Sequence, residues 1–180
     1  MLAQRQSGFT LIEIMISLTV LGLLLMMALP SFMEALQNQQ LRAASEGMVN
    51  GFQVARAAAI RRNVPVQIVV GPGTGWTVSE VASASLVQAR SKDEASPNAA
   101  VAITPAGATT VTFTPIGGVA ANADASATIT QLDITNPTGG VCQPTGPMRC
   151  LRVLITGGGS VRMCDPAVPA VTPPDPRACS

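Results

Sequence analysis

A single carboxylate, Glu13, stands in an otherwise uncharged run over residues 9–29, FTLIEIMISLTVLGLLLMMAL, which is followed by Pro30. A run of that length is enough to cross the hydrocarbon core of a bilayer as a helix. A carboxylate inside it costs ~2.5–3.5 kcal/mol and needs a partner. Four cysteines, Cys142, Cys150, Cys164 and Cys179, all lie beyond Val141 in a Gly/Pro-rich tail. Their wide spacings fit poorly with the close pairs of zinc knuckles, so disulfides in an oxidising compartment are the expectation. Four cysteines allow three pairings, and the sequential one, Cys142–Cys150 with Cys164–Cys179, is preferred. The chain has no histidine and no tyrosine, and Lys92 is its only lysine. The commonest general base and metal ligand are therefore missing, and neither an enzyme, a metal site nor a cofactor is expected.

The remaining candidate chemistry is cationic. From Val141 onward Arg149, Arg152, Arg162 and Arg177 face only Asp165 and Asp175. That surplus is locally basic by two, and four arginines supply only a few phosphate contacts and weak, salt-sensitive binding. Ordinary ion pairs of Arg152 and Arg162 with Asp133 and Asp165 are the competing reading. Over the whole chain the formal charge is +1, which points to no polyanionic partner. The glycine-rich GPGTG at 71–75 lacks the lysine and hydroxyl of a phosphate-binding loop and precedes a strand pattern, so it reads as a turn, as does GGGS at 157–160.

These residues need elements to hold them. Residues 31–62 contain no proline, and Leu41, Ala44, Met48, Phe52, Ala55 and Ala59 recur every three or four positions. Arg42, Glu46, Gln53 and Arg56 fall off that stripe. One helix from Phe9 to about Arg62 is expected, kinked or loosened near Pro30. Its first part, 9–29, spans the membrane, and its second, 30–62, packs on a globular domain. Beyond Asn63 the period shortens. Strands are expected at Val64–Val70, Trp76–Val81, Val101–Thr104, Thr110–Thr114, Thr128–Thr135, Leu151–Thr156 and Ser160–Met163, with 82–100 a mobile surface loop. The fold class is α+β: one long N-terminal helix packed on an antiparallel β-sheet domain covering 63–180.

The N-terminal segment SGFTLIEIMISLTVLGLL resembles the leader and first helix of type IV pilins and pseudopilins. RRNVPVQIVV, VTFTPIGG and LRVLITGGGSVRMCDP are similar to the GspH/FimT/FimU group of minor pilins and pseudopilins. The resemblance implies that residues 1–8 are a leader, that a prepilin peptidase cuts between Gly8 and Phe9, and that Phe9 becomes N-methylated. It implies that Glu13 and Phe9 carry assembly, with the Glu13 carboxylate meeting a Phe9 amino group, an attraction far stronger in an apolar medium than in water. The partners it implies are the inner membrane and other major and minor pilins or pseudopilins, with the β domain in the periplasm. A subunit that initiates or caps a type IV pilus is the leading expectation. A type II secretion pseudopilin is one alternative; the other, which the resemblance to FimT-type pilins implies, is a DNA-uptake pilin with Arg149, Arg152, Arg162 and Arg177 as its DNA-binding residues.

Overall fold

The computed structural model describes residues 9–94, 96–172 and 175–179. The leader expected at 1–8, Gly8 included, lies outside the described residues. Helix α1 runs over Leu11–Arg62. It is followed by nine strands: β1 Val66–Val70, β2 Trp76–Glu80, β3 Leu86–Arg90, β4 Ala100–Thr104, β5 Thr110–Phe113, β6 Val119–Ala120, β7 Gln131–Thr135, β8 Leu151–Ile155 and β9 Val161–Cys164. The chain divides into two compact units, the first ending at Leu36 and the second beginning at Gln37.

In the first unit α1 passes through Pro30 without a break, so the expected loosening is not an interruption of the helix. The proline has no N–H to offer the carbonyl four residues back. Next to it, the Ser31 hydroxyl donates to the Ala28 carbonyl at 3.0 Å. The apolar side chains from Phe9 to Leu29 are all exposed.

In the second unit the strands form the expected antiparallel β-sheet domain, divided into two sheets. Five strands run in the order β3-β2-β1-β5-β6 and four in the order β4-β7-β8-β9. The 82–100 segment is also more ordered than a loop. It contains β3, paired to β2 with a register shift between Val78 and Ser79, and a 3-10 turn at Lys92–Glu94. Its side chains carry little apolar pattern because Leu86, Gln88 and Ala89 are exposed. Backbone pairing, not burial, holds the edge strand, and periodicity cannot report that.

The helical stripe is buried as its spacing requires. Leu41, Ala44, Met48, Phe52, Ala55 and Ala59 share one core cluster with Val66, Ile68, Val78, Val111 and Phe113 of the first sheet and Leu132, Ile134 and Val153 of the second. Small residues set how closely the first sheet approaches. A Cβ on Gly51 would stand 2.7 Å from Cε2 of Trp76, and the Trp76 indole N–H donates to the Gly47 carbonyl at 3.1 Å. The Arg90 guanidinium occupies the space a side chain on Gly47 would need. Near the start of this unit Asn38 clasps the disulfide loop, its Oδ1 accepting from the Arg149 N–H (2.8 Å) and its Nδ2 donating to the Pro147 carbonyl (3.3 Å). Toward the end of α1, Arg56 Nε donates to the Gly117 carbonyl at 2.9 Å.

Candidate functional site

Phe9 and Glu13 sit where α1 begins. Thr10 caps the helix: its hydroxyl oxygen accepts the Glu13 N–H at 3.3 Å, and its carbonyl accepts the Ile14 N–H at 3.3 Å. Thr10 and Glu13 thus stand in the threonine-x-x-glutamate spacing of a helix start, a signal present in the sequence and passed over there. The cap places Glu13 in the first turn, where the unpaired N–H groups and the helix dipole favour negative charge. One turn on, the Ser17 hydroxyl donates to the Glu13 carbonyl at 2.7 Å. Phe9, Glu13 and Ser17, spaced by four, line a single face with Ile14, Leu18 and Leu21. Glu13 itself is exposed, and no ion pair is made to it among the described residues. The helix is long and apolar enough to cross a membrane: its most apolar window has mean hydropathy 2.4, and none of that window is buried.

The cysteines stand at two places. Cys142 is bonded to Cys150, closing the loop that Asn38 clasps. Cys164, the last residue of β9, is bonded to Cys179. That bond folds the C-terminal segment back so that the Asp165 N–H donates to the Arg177 carbonyl at 2.7 Å and Ala178 bridges Asp165. Ala178 and Cys164 are both buried by this return.

The four arginines of the basic segment are not one free patch. Arg152 on β8 lies opposite Asp133 on β7, and its Nε meets Oδ1 at 2.6 Å, with Gln131 Nε2 donating to the other carboxylate oxygen at 2.7 Å. Arg177 grips Asp175 with both Nη2 (2.8 Å) and Nε (3.2 Å). That guanidinium and the Arg177 N–H hold the Asp175 carboxyl well below its ordinary value, at about 2, and the same pairing raises Arg177. Arg162 is exposed on β9, and Arg149 is exposed at the end of the disulfide loop. Arg152 and Arg177 are thus offset by carboxylates of the chain itself. The GPGTG segment is the turn between β1 and β2, closed by Gly71 N–H to Gly75 carbonyl (2.9 Å), with Gly73 at φ 62°. A strand, not a helix N-terminus, follows it, so it presents no anion-binding end.

Comparison with known proteins adds family to geometry. Residues 3–29 match the prokaryotic N-terminal methylation motif. Residues 44–164 match the family described as Type II transport protein GspH. Two crystal structures of the type IV minor pilin FimU of Pseudomonas aeruginosa are similar in fold. The first, in space group P21, has 17% identity and a TM-score of 0.52, covering 80% of this chain and 98% of that one. The second, in space group P65, has 16% identity and a TM-score of 0.47, covering 77% and 99%. No curated protein matches the chain. The leader motif and the apolar helix together point to an inner-membrane-anchored pilin. With most of its length matched by one family and one long helix packed on antiparallel sheets, the chain belongs to the GspH family of pilin-like proteins.

Proposed function

We propose that the chain is a minor pilin-like structural subunit that helps initiate or cap assembly of a type IV pilus. The observation that carries this reading is the first helical turn, where Glu13 is the only charge in an exposed apolar span and shares a face with Phe9. A prepilin peptidase removes residues 1–8, cutting between Gly8 and Phe9, and Phe9 is N-methylated. Residues 9–29 then hold the subunit in the inner membrane, with the β-rich unit in the periplasm. On assembly the helix exchanges lipid for helices of other pilins. The Glu13 carboxylate meets the Phe9 amino group of a neighbouring subunit, a pairing that sets register because either charge left alone in an apolar medium is costly. Members of this family are structural, and the part played by the β-rich unit is lateral contact within the fibre.

A second reading has its own support, since the matching family is described as a type II transport protein. In that case the same chemistry builds a minor pseudopilin. Deleting the gene in the native host separates the two: lost surface pili with normal secretion marks a pilin, whereas intact pili with secreted proteins retained in the periplasm marks a pseudopilin. Unchanged pili together with unchanged secretion contradict both. DNA capture is not favoured, because Asp133 and Asp175 already neutralise two of the four candidate arginines.

A further inference from the structure

β9 is the outermost strand of the second sheet. An edge of this kind offers backbone N–H and C=O groups to any further strand, and proteins blunt it with bulges, prolines or a covering segment. β3, at the edge of the first sheet, has a register shift against β2, whereas β9 runs in unbroken register with β8. The Thr156 N–H donates to the Ser160 carbonyl at 3.0 Å, in the same register that sets Leu154 opposite Arg162 and Arg152 opposite Cys164. Alternation along an antiparallel pair then turns the backbone N–H and C=O of Arg162 and Cys164 toward β8, and those of Val161, Met163 and Asp165 toward the open edge. The Asp165 N–H bears out this parity, since it donates outward to the Arg177 carbonyl at 2.7 Å. Among the described residues no outer backbone partner meets Val161 or Met163. The returning C-terminal segment therefore lies on the edge of β9, bridged at Ala178 to Asp165 and tied by the Cys164–Cys179 bond. Its sequence contains Pro166, Pro169, Pro173, Pro174 and Pro176, which have no N–H with which to continue a ladder.

The edge it covers is self-complementary. Two copies of β9 laid antiparallel about Met163 set Met163 against Met163, Arg162 against Cys164 and Val161 against Asp165, so like charges do not face each other. The outward groups then fall opposite one another, and a two-fold axis joins the two four-stranded sheets across one isologous interface. With the C-terminal segment in place, the Asp165 N–H that a second copy's Val161 carbonyl would accept is already taken, and Ala178 is paired beside it. Only the Met163 pair is left to form. We infer that the C-terminal segment is a disulfide-latched guard that keeps β9 from pairing with β9 of a second copy of this chain. Copies of this chain are the only partner involved, so a pilus subunit and a pseudopilus subunit need the guard alike.

The test uses the full detergent-solubilised chain, with backbone amide exchange read by NMR and mass by light scattering. In the wild type the Val161 and Met163 amides are expected to exchange freely and the Asp165 amide slowly. Replacing Cys164 and Cys179 together by serine unlatches the segment. Ala178→Asp unseats it with both disulfides intact, because Ala178 is only 1% exposed. Both variants are expected to keep native Trp76 emission, to gain dimer, and to slow exchange at Val161 and Met163 about tenfold. Adding Met163→Pro, which removes an outward N–H without touching the β8 ladder, should return the monomer and the fast exchange at Val161. Folded variants that stay as monomeric as the wild type overturn the guard, as do dimers that persist with Met163→Pro. Slow exchange at Val161 and Met163 in the wild type overturns it too. Loss of native Trp76 emission in both variants also counts against it, since the segment is then part of what holds the fold rather than a guard on its edge.

Discussion

The packing of Trp76 on Gly51 makes a prediction with an unusual sign. Replacing a helical glycine by alanine ordinarily stabilises by ~1 kcal/mol through helix propensity. Here the added methyl lands 2.7, 2.8 and 2.9 Å from Cε2, Cδ2 and Nε1 of the indole. The ring has little room to retreat, because Trp76 is 2% exposed and its N–H is held by the Gly47 carbonyl. Overpacking of this kind costs about 1–3 kcal/mol, and tilting the ring gives up a hydrogen bond worth ~1 kcal/mol. Gly51→Ala is therefore expected to destabilise by about 1–3 kcal/mol net, lowering Tm by about 2–12 °C at this chain length. Trp76 is the only tryptophan, so its fluorescence reports both the unfolding of the detergent-solubilised chain and the local change in packing. Gly157→Ala, where a Cβ meets nothing within 4 Å, serves as control and should stay within about 0.5 kcal/mol of wild type. A Gly51→Ala chain that melts higher than wild type with unaltered emission refutes the close-approach argument.

Three further perturbations address the rest of the second unit. Replacing Cys164 and Cys179 together by serine opens a loop of sequence separation 15, for which chain entropy gives ~3 kcal/mol, and should lower Tm by about 6–12 °C. The Asp175 carboxyl, depressed from 3.8 to about 2, stabilises the C-terminal return above its ordinary value, and that contribution is lost as pH falls through about 2. An NMR titration should show the low value directly, and Arg177→Ala should move it back up. Arg56→Ala removes a charge-assisted bond to the Gly117 carbonyl and should cost about 1.5–3 kcal/mol by urea unfolding; a neutral outcome means the turn stands without the helix.

How much of this was legible in sequence depended on whether the signal was local. The stripe from Leu41 to Ala59 and the alternation in VPVQIVV report burial directly, because period follows which face meets the core. The resemblance, carried by SGFTLIEIMISLTVLGLL, brought Phe9 and Glu13 forward, yet the cap at Thr10 that sets their geometry went unread. Strand β3 was hidden because its own side chains mostly face water, although its partner β2 is the strand just before it. The split into two sheets was hidden because sheet membership is decided by pairing between remote segments. Nothing local marked Gly47 and Gly51; only the position of Trp76 and Arg90 shows why they are small. The cysteines left three pairings open, since connectivity depends on where β9 and the 142–150 loop bring their ends.

The central claim is that Glu13 acts between subunits rather than within the chain. Its most direct test compares full-length wild type with Glu13→Val in the native host, following leader removal, membrane abundance and presence in sheared fibres. The account predicts that both chains are cut between Gly8 and Phe9 and accumulate in the inner membrane, while only the wild type enters the fibre. A Glu13→Val chain that is incorporated at the wild-type level would show that the carboxylate serves only the first helical turn, and the assembly role assigned to it would be wrong.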